Sequence, residues 1–180
     1  MTQEKTQKII PKKIIAIIGL MGVGKTTIGA KLAKRLQLYF VDCDQEIEDA
    51  ERNSIKEIFA QKGEKYFREV EKQTIKNIVL RDEAVVLSLG GGAFENRETQ
   101  DILREKAVII WLHAKIDTIL HRIGNKNTRP LLNQENKREV LEKLIRERYP
   151  AYSTADLEFN TAEDSQELII NKIIQEINGK

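Results

Sequence analysis

Residues 13–18 read Lys-Ile-Ile-Ala-Ile-Ile and run straight into Gly19-Leu20-Met21-Gly22-Val23-Gly24-Lys25-Thr26. The first segment is short, apolar and β-branched, as a parallel strand buried on both faces should be. The octet fits G-x-x-x-x-G-K-[ST], the pattern of a loop that grips phosphate. Its glycines let the backbone curl until successive N–H groups face phosphate oxygens. Lys25 brings a mobile cation to the β- and γ-phosphates, and Thr26 offers a hydroxyl to Mg²⁺. Beyond the loop, Ile28, Leu32, Ala33 and Leu36 recur at helical spacing, so a helix begins there. A helix N-terminus adds roughly half a positive charge at the same place. A plain glycine turn would have no use for Lys25-Thr26. Strand, loop and helix together commit the chain to an α/β fold built around a nucleotide.

At 180 residues the chain has room for one domain with a substantial core. Apolar residues make up 41% and charged residues 32%, which suits a soluble globular protein. A net charge of +2 gives no reason to expect nucleic acid or a membrane surface as partner. The single cysteine excludes an internal disulfide and fits a reducing compartment, so the cytoplasm is the expected location. Residues 1–12 read as a flexible tail, and the apolar stretch after them is too short for a signal peptide or membrane span. With no exposed heptad or long apolar surface run, a monomer is expected.

Helical and strand patterns alternate along residues 13–180, which predicts a single α/β domain with a mostly parallel sheet. Strands are expected at 14–18, 39–42, 84–88, 107–112 and 157–160. Helices are expected at 25–36, 44–52, 55–81 with a break near Gly63, 97–105, 115–123, 137–148 and 165–178. Ser54-Ile55-Lys56-Glu57 is a capping-box pattern, and Gly179 suits the end of the last helix. The polar stretch 124–136 lies between two helical patterns and is long enough for a functional loop.

Five further features bear on the reaction. Asp42 and Asp44 fall at the end of the second expected strand, the edge where ligands sit in such sheets. Strand alternation would aim both to one side, one to hold Mg²⁺ through water and the other to bind a substrate hydroxyl. The plainer alternative has Asp44 capping the next helix. Cys43 between them reads as a packed thiol. Arg68 lies beside the apolar face formed by Phe59, Phe67, Val70 and Ile75, and on its own reads as a surface arginine. Gly90-Gly91-Gly92 follow the third strand, either as backbone approaching a ligand or as a flexible turn. Arg129 sits in the long loop, seven residues after Arg122, where a mobile cation can close over phosphates. Arg148 ends a charged helix, where a cation suits the dipole in any case.

Taken in order, these features resemble the shikimate kinase family: the phosphate loop, Asp-x-Asp, Phe67-Arg68, Gly90-Gly91-Gly92, Arg129-Pro130-Leu131-Leu132 and Arg148-Tyr149-Pro150-Ala151-Tyr152. The resemblance runs from about residue 14 to the last helix. It implies a three-layer P-loop kinase fold: a five-stranded parallel sheet of order 2-3-1-4-5, helices on both faces, a substrate subdomain near 43–72 and a lid near 124–136. It implies ATP and shikimate as the bound partners, Mg²⁺ as cofactor, and phosphorylation of the 3-hydroxyl of shikimate.

The implied roles follow residue by residue. Gly22, Val23, Gly24, Lys25, Thr26 and Thr27 wrap the ATP phosphates, and Thr26 ligates Mg²⁺ with Asp42 nearby. Asp44 contacts the shikimate hydroxyls, Arg68 and Arg148 grip its carboxylate, and Gly90, Gly91 and Gly92 supply backbone contacts. Two guanidinium forks suit a carboxylate, which they pair bidentately. Arg129 is the lid cation and Arg122 lies near adenine. Lys25, Asp44 and Arg129 are thus the expected catalytic group. The family often has a basic residue after the last strand; here Asn160-Thr161-Ala162-Glu163-Asp164 leaves Thr161 and backbone as expected adenine contacts.

Two other readings compete. A kinase of another small metabolite, such as gluconate, would read a neutral polyol end, which needs fewer cations than the paired arginines provide. A nucleotide-dependent switch would want Asn-Lys-x-Asp for guanine, and Asn125-Lys126-Asn127-Thr128 lacks the aspartate. His113 and His121 have no partner set for a metal and read as structural or surface residues, while Trp111 reads as core.

Overall fold

In the computed structural model, which describes residues 12–124 and 136–179, strand β1 (Ile14–Ile18) is buried along its whole length. It sits at the centre of a five-stranded, all-parallel sheet of order β2-β3-β1-β4-β5, with β2 at Tyr39–Asp42, β3 at Val85–Ser88, β4 at Ala107–His113 and β5 at Leu157–Asn160. The interior strand β1 is a continuous apolar run, and β3 is apolar up to Ser88, because both of their faces are covered. The edge strands β2 and β5 are partly exposed and read less cleanly.

Seven α-helices are described: α1 (Lys25–Leu36), α2 (Cys43–Glu51), α3 (Ile55–Leu80), α4 (Arg97–Lys106), α5 (Ile116–Ile123), α6 (Lys137–Tyr152) and α7 (Gln166–Gly179). A short 3-10 helix, Ala93–Glu95, links β3 to α4. The expected capping box forms: Glu57 N–H donates to Ser54 Oγ at 3.3 Å, and Ser54 N–H donates to Glu57 Oε2 at 2.8 Å. The expected break in α3 is a kink at Gly63, whose φ of 81° and ψ of 172° fall outside the helical range.

Three boundaries differ from expectation in an informative way. β2 ends at Asp42 as expected, but α2 begins one residue earlier than expected, at Cys43, so no strand position separates Asp42 from the helix and alternation along a strand does not govern Asp44. α6 continues past Arg148 and through Pro150 to Tyr152. Proline there forfeits one hydrogen bond near the helix end, but stopping earlier would expose Tyr152, which is fully buried, and Ser153 N–H still donates to Tyr149 O at 2.8 Å. Lys12, expected in the tail, donates to Ala107 O at 3.1 Å; the rest of that tail, 1–11, lies outside the described residues.

Register places the functional edge. Ile17 pairs with Ser88 and Ser88 with Asp42, so β1, β3 and β2 finish level with one another. The phosphate loop, the acids and the glycines that follow these strands therefore leave the sheet side by side, near the point where the strand order reverses. The sheet centre is what holds this arrangement. Ile15, fully buried between Val86 and Val108, should cost about 2–5 kcal/mol of unfolding free energy as Ile15→Ala, measured by urea denaturation.

Candidate active site

The phosphate loop turns into α1 through Gly24, whose φ of 100° a β-carbon would oppose. No side chain caps this helix start, which leaves its N–H groups facing the loop. Lys25 is buried and bridges the loop, donating to Gly19 O at 2.9 Å and Leu20 O at 3.0 Å. A cavity of about 580 Å³ opens above it, lined by residues 22–27, Arg122, Thr161 and residues 164–166. Arg122 Nη1 donates to Thr161 Oγ1 at 2.9 Å, and Thr161 Oγ1 donates to Val23 O at 2.8 Å. One wall of the cavity is thereby tied to its floor.

Asp42 joins the two halves of the site. Its Oδ2 accepts from Thr26 Oγ1 at 2.8 Å, and its Oδ1 caps α2 by accepting from Asp44 N–H at 3.1 Å. The helix cap is thus Asp42, not Asp44 as the plainer reading had it. Two adjacent hard oxygens, Thr26 Oγ1 and Asp42, make a donor set that suits Mg²⁺, which binds through few protein groups and completes its shell with water and phosphate.

The three glycines after β3 are buried, and each meets a charged partner. A Cβ on Gly90 would stand 2.6 Å from Glu71 Oε1 and 2.7 Å from Asp44 Oδ1. On Gly91 it would stand 3.1 Å from Arg148 Nη1, and on Gly92 2.6 Å from both Nη atoms of Arg68. A side chain at any of these positions would have to displace a charged group, which favours the close-approach reading over a flexible turn. Arg68 Nη1 donates to Glu71 Oε2 at 2.7 Å and Nη2 to Glu64 Oε1 at 3.3 Å. Arg148 is 4% exposed and its Nε donates to Glu95 Oε2 at 3.0 Å. It belongs to the buried stripe Leu141, Leu144, Arg148 and Tyr152 of α6, and the Tyr152 hydroxyl donates to Gly91 O. Two arginines, two acids and a glycine floor thus face one another beside the phosphate loop.

A family model described as shikimate kinase matches residues 21–178. The chain belongs to the shikimate kinase family. It is 38% identical over 172 residues to the shikimate kinase of Brucella canis, covering 96% of this chain and 86% of that one. It is 44% identical over 156 residues to that of Cereibacter sphaeroides, covering 87% and 78%. Among solved structures it resembles the Acinetobacter baumannii shikimate kinase in complex with shikimate, with a TM-score of 0.88, 33% identity and coverage of 92% and 93%.

Against the residues expected from the shikimate kinase resemblance, the structure gathers two groups. Residues 22–27 and Arg122 line the first cavity, and Asp44, Arg68, Arg148 and residues 90–92 form the second cluster, with Asp42 between. Arg129 and most of the expected lid, 125–135, lie outside the described residues. The ends of that loop are stapled, since Lys137 Nζ donates to Gly124 O at 2.8 Å. Cys43 is buried, and burial, followed by the charges of Glu71, Asp44, Asp42 and Glu46, pushes its thiol well up, away from any nucleophilic role. Trp111 is core, edge-on to Tyr149 at 4.8 Å, and His113 pairs with Glu158 at 3.0 Å.

Glu71 was missed by the sequence reading, although its i+3 spacing from Arg68 put both on one helix face. It is 3% exposed, and its Oε1 is a buried oxygen without a hydrogen-bond partner among the described residues. Burial raises the Glu71 carboxyl above its ordinary value of 4.5, Arg68 opposes the rise and Asp44 adds to it. A carboxyl raised by folding stabilises the protein most when protonated, and that contribution is lost as pH climbs from about 4.5 through the raised value. Glu71→Gln removes this titration. Its stability relative to the parent should therefore increase between pH 4.5 and pH 7, as read by urea denaturation at both ends.

Proposed function

We propose that this chain transfers the γ-phosphate of ATP to the 3-hydroxyl of shikimate, giving shikimate 3-phosphate on the route to chorismate and the aromatic amino acids. The observation that carries this reading is the cluster at residues 90–92, where Arg68 and Arg148 converge beside Asp44. A ring bearing one carboxylate and several hydroxyls matches that set. The guanidinium groups take the carboxylate, Asp44 takes a hydroxyl, and the glycines let the ring lie on backbone.

In this mechanism Lys25 and the N–H groups at the start of α1 hold the β- and γ-phosphates in line with the acceptor. Thr26 and Asp42 would hold Mg²⁺, which would neutralise the charge that develops on the phosphates. Asp44 accepts the hydrogen bond of the attacking hydroxyl and fixes its direction. Phosphoryl transfer through a loose transition state asks little of a base, so alignment is the larger part of that role. Arg122, held by Thr161, flanks the purine, and Arg129 closes over the phosphates from the lid. Residues 43–72 serve as the substrate subdomain and 124–136 as the lid of a single domain, acting as a cytoplasmic monomer.

A coupled assay of ADP release should show turnover with shikimate and none with gluconate or a nucleoside monophosphate. Turnover only with one of the latter would sink the substrate assignment. Lys25→Met should lower kcat by at least about 100-fold while leaving the far-UV circular dichroism spectrum that of the folded parent, since the residue acts on phosphate charge. Arg68→Leu tests the carboxylate clamp separately. It should weaken shikimate binding by about 2–5 kcal/mol and leave the KM for ATP near its original value. A kinase of a neutral polyol would not lose affinity in that variant.

A further inference from the structure

The two arginines of the clamp are anchored differently. Arg68 is tied through Nη1 and Nη2 to Glu71 and Glu64, both on its own helix. Arg148 is tied through Nε to Glu95, which lies 53 residues away in the chain on the 3-10 turn after the glycines. We propose that Glu95 is the positioning residue of the substrate clamp: it fixes the plane of the Arg148 guanidinium so that the Nη edge is presented at Gly91. This role rests on the shikimate reading above and deepens it.

The geometry supports the role at both ends of the contact. Arg148 is 4% exposed, so its guanidinium needs a counter-charge and a defined orientation, and a planar fork held at Nε has its Nη edge fixed as well. Glu95 uses the side of the fork, whereas the Nη1 atom is the one set 3.1 Å from the Cβ position of Gly91. A substrate carboxylate can therefore be taken by the Nη edge while Glu95 keeps its hold. The support is itself firm. Glu95 N–H donates to Gly92 O at 3.1 Å, and the next residue, Asn96, caps α4 by accepting from Thr99 N–H at 3.0 Å. Although its side chain is 38% exposed, Glu95 is thus held on a backbone fixed from both sides.

The expected cost of losing this support is that of ordering one long side chain on binding, roughly a 3- to 10-fold change in affinity. Steady-state kinetics of the parent, Glu95→Ala and Glu95→Gln, with thermal midpoints of each, tests it. Glu95→Ala should raise the KM for shikimate by roughly 3- to 10-fold and leave the KM for ATP and kcat within about twofold. Glu95→Gln, whose amide oxygen still accepts from Nε, should recover most of the loss. A lowered KM in either variant would mean that Glu95 competes with substrate, and overturns the role. So would an unchanged KM with only a lower midpoint, or a Gln variant as impaired as the Ala one. Failure of the parent to use shikimate shows before any variant is compared, and overturns the substrate assignment together with this role.

Discussion

The structure depends on the burial of β1 between β3 and β4. A strand paired on both edges and packed on both faces cannot slip without breaking two hydrogen-bond ladders at once and repacking both layers. Its last residues therefore fix where the phosphate loop leaves the sheet. The parallel register carries that position to the neighbours, through Ser88 to Asp42. Residues from distant parts of the chain meet at one edge because hydrogen-bonded strands end together, not because their side chains attract one another.

Attraction and repulsion do act in the cluster those ends create. Arg68, Arg148, Glu71 and Asp44 lie around three glycines, and two of them, Arg148 and Glu71, are buried, where a lone charge would be costly. Each arginine has a carboxylate of its own, so neither is an uncompensated cation. The carboxylates fare less evenly. Glu71 keeps one oxygen paired with Arg68 and the other buried without a hydrogen-bond partner among the described residues, and burial raises its protonation equilibrium. Such strain is tolerable because the core beneath it is large and continuous.

What the sequence made legible follows from the range of each interaction. The buried strands, the capping box at Ser54 and the kink at Gly63 depend on neighbours within a few residues, and all could be read directly. The strand end at Asp42 was read correctly, but alternation was carried past it to Asp44, and the capping role was given to Asp44 when it falls to Asp42, because α2 starts at Cys43. The helix expected to end at 148 runs on through Pro150, because the burial of Tyr152, a tertiary effect, holds the last turn in place. Arg148 might have been recognised as buried from its place on the stripe with Leu141, Leu144 and Tyr152. Its partner Glu95 had no such signal, since nothing local links a turn after β3 to the end of α6.

The hydroxyl of Tyr152 bonded to the carbonyl of Gly91 has a consequence for polarity. A trans peptide is planar, and its C=O and N–H point in opposite directions. With the Gly91 carbonyl turned toward Tyr152, the N–H of Gly92 in the same plane must point away from it. A single phenol buried behind the loop thereby decides that the opposite side of this peptide offers a proton rather than a lone pair. The character of the floor that a hydroxylated ring would rest on is set from the side it never touches.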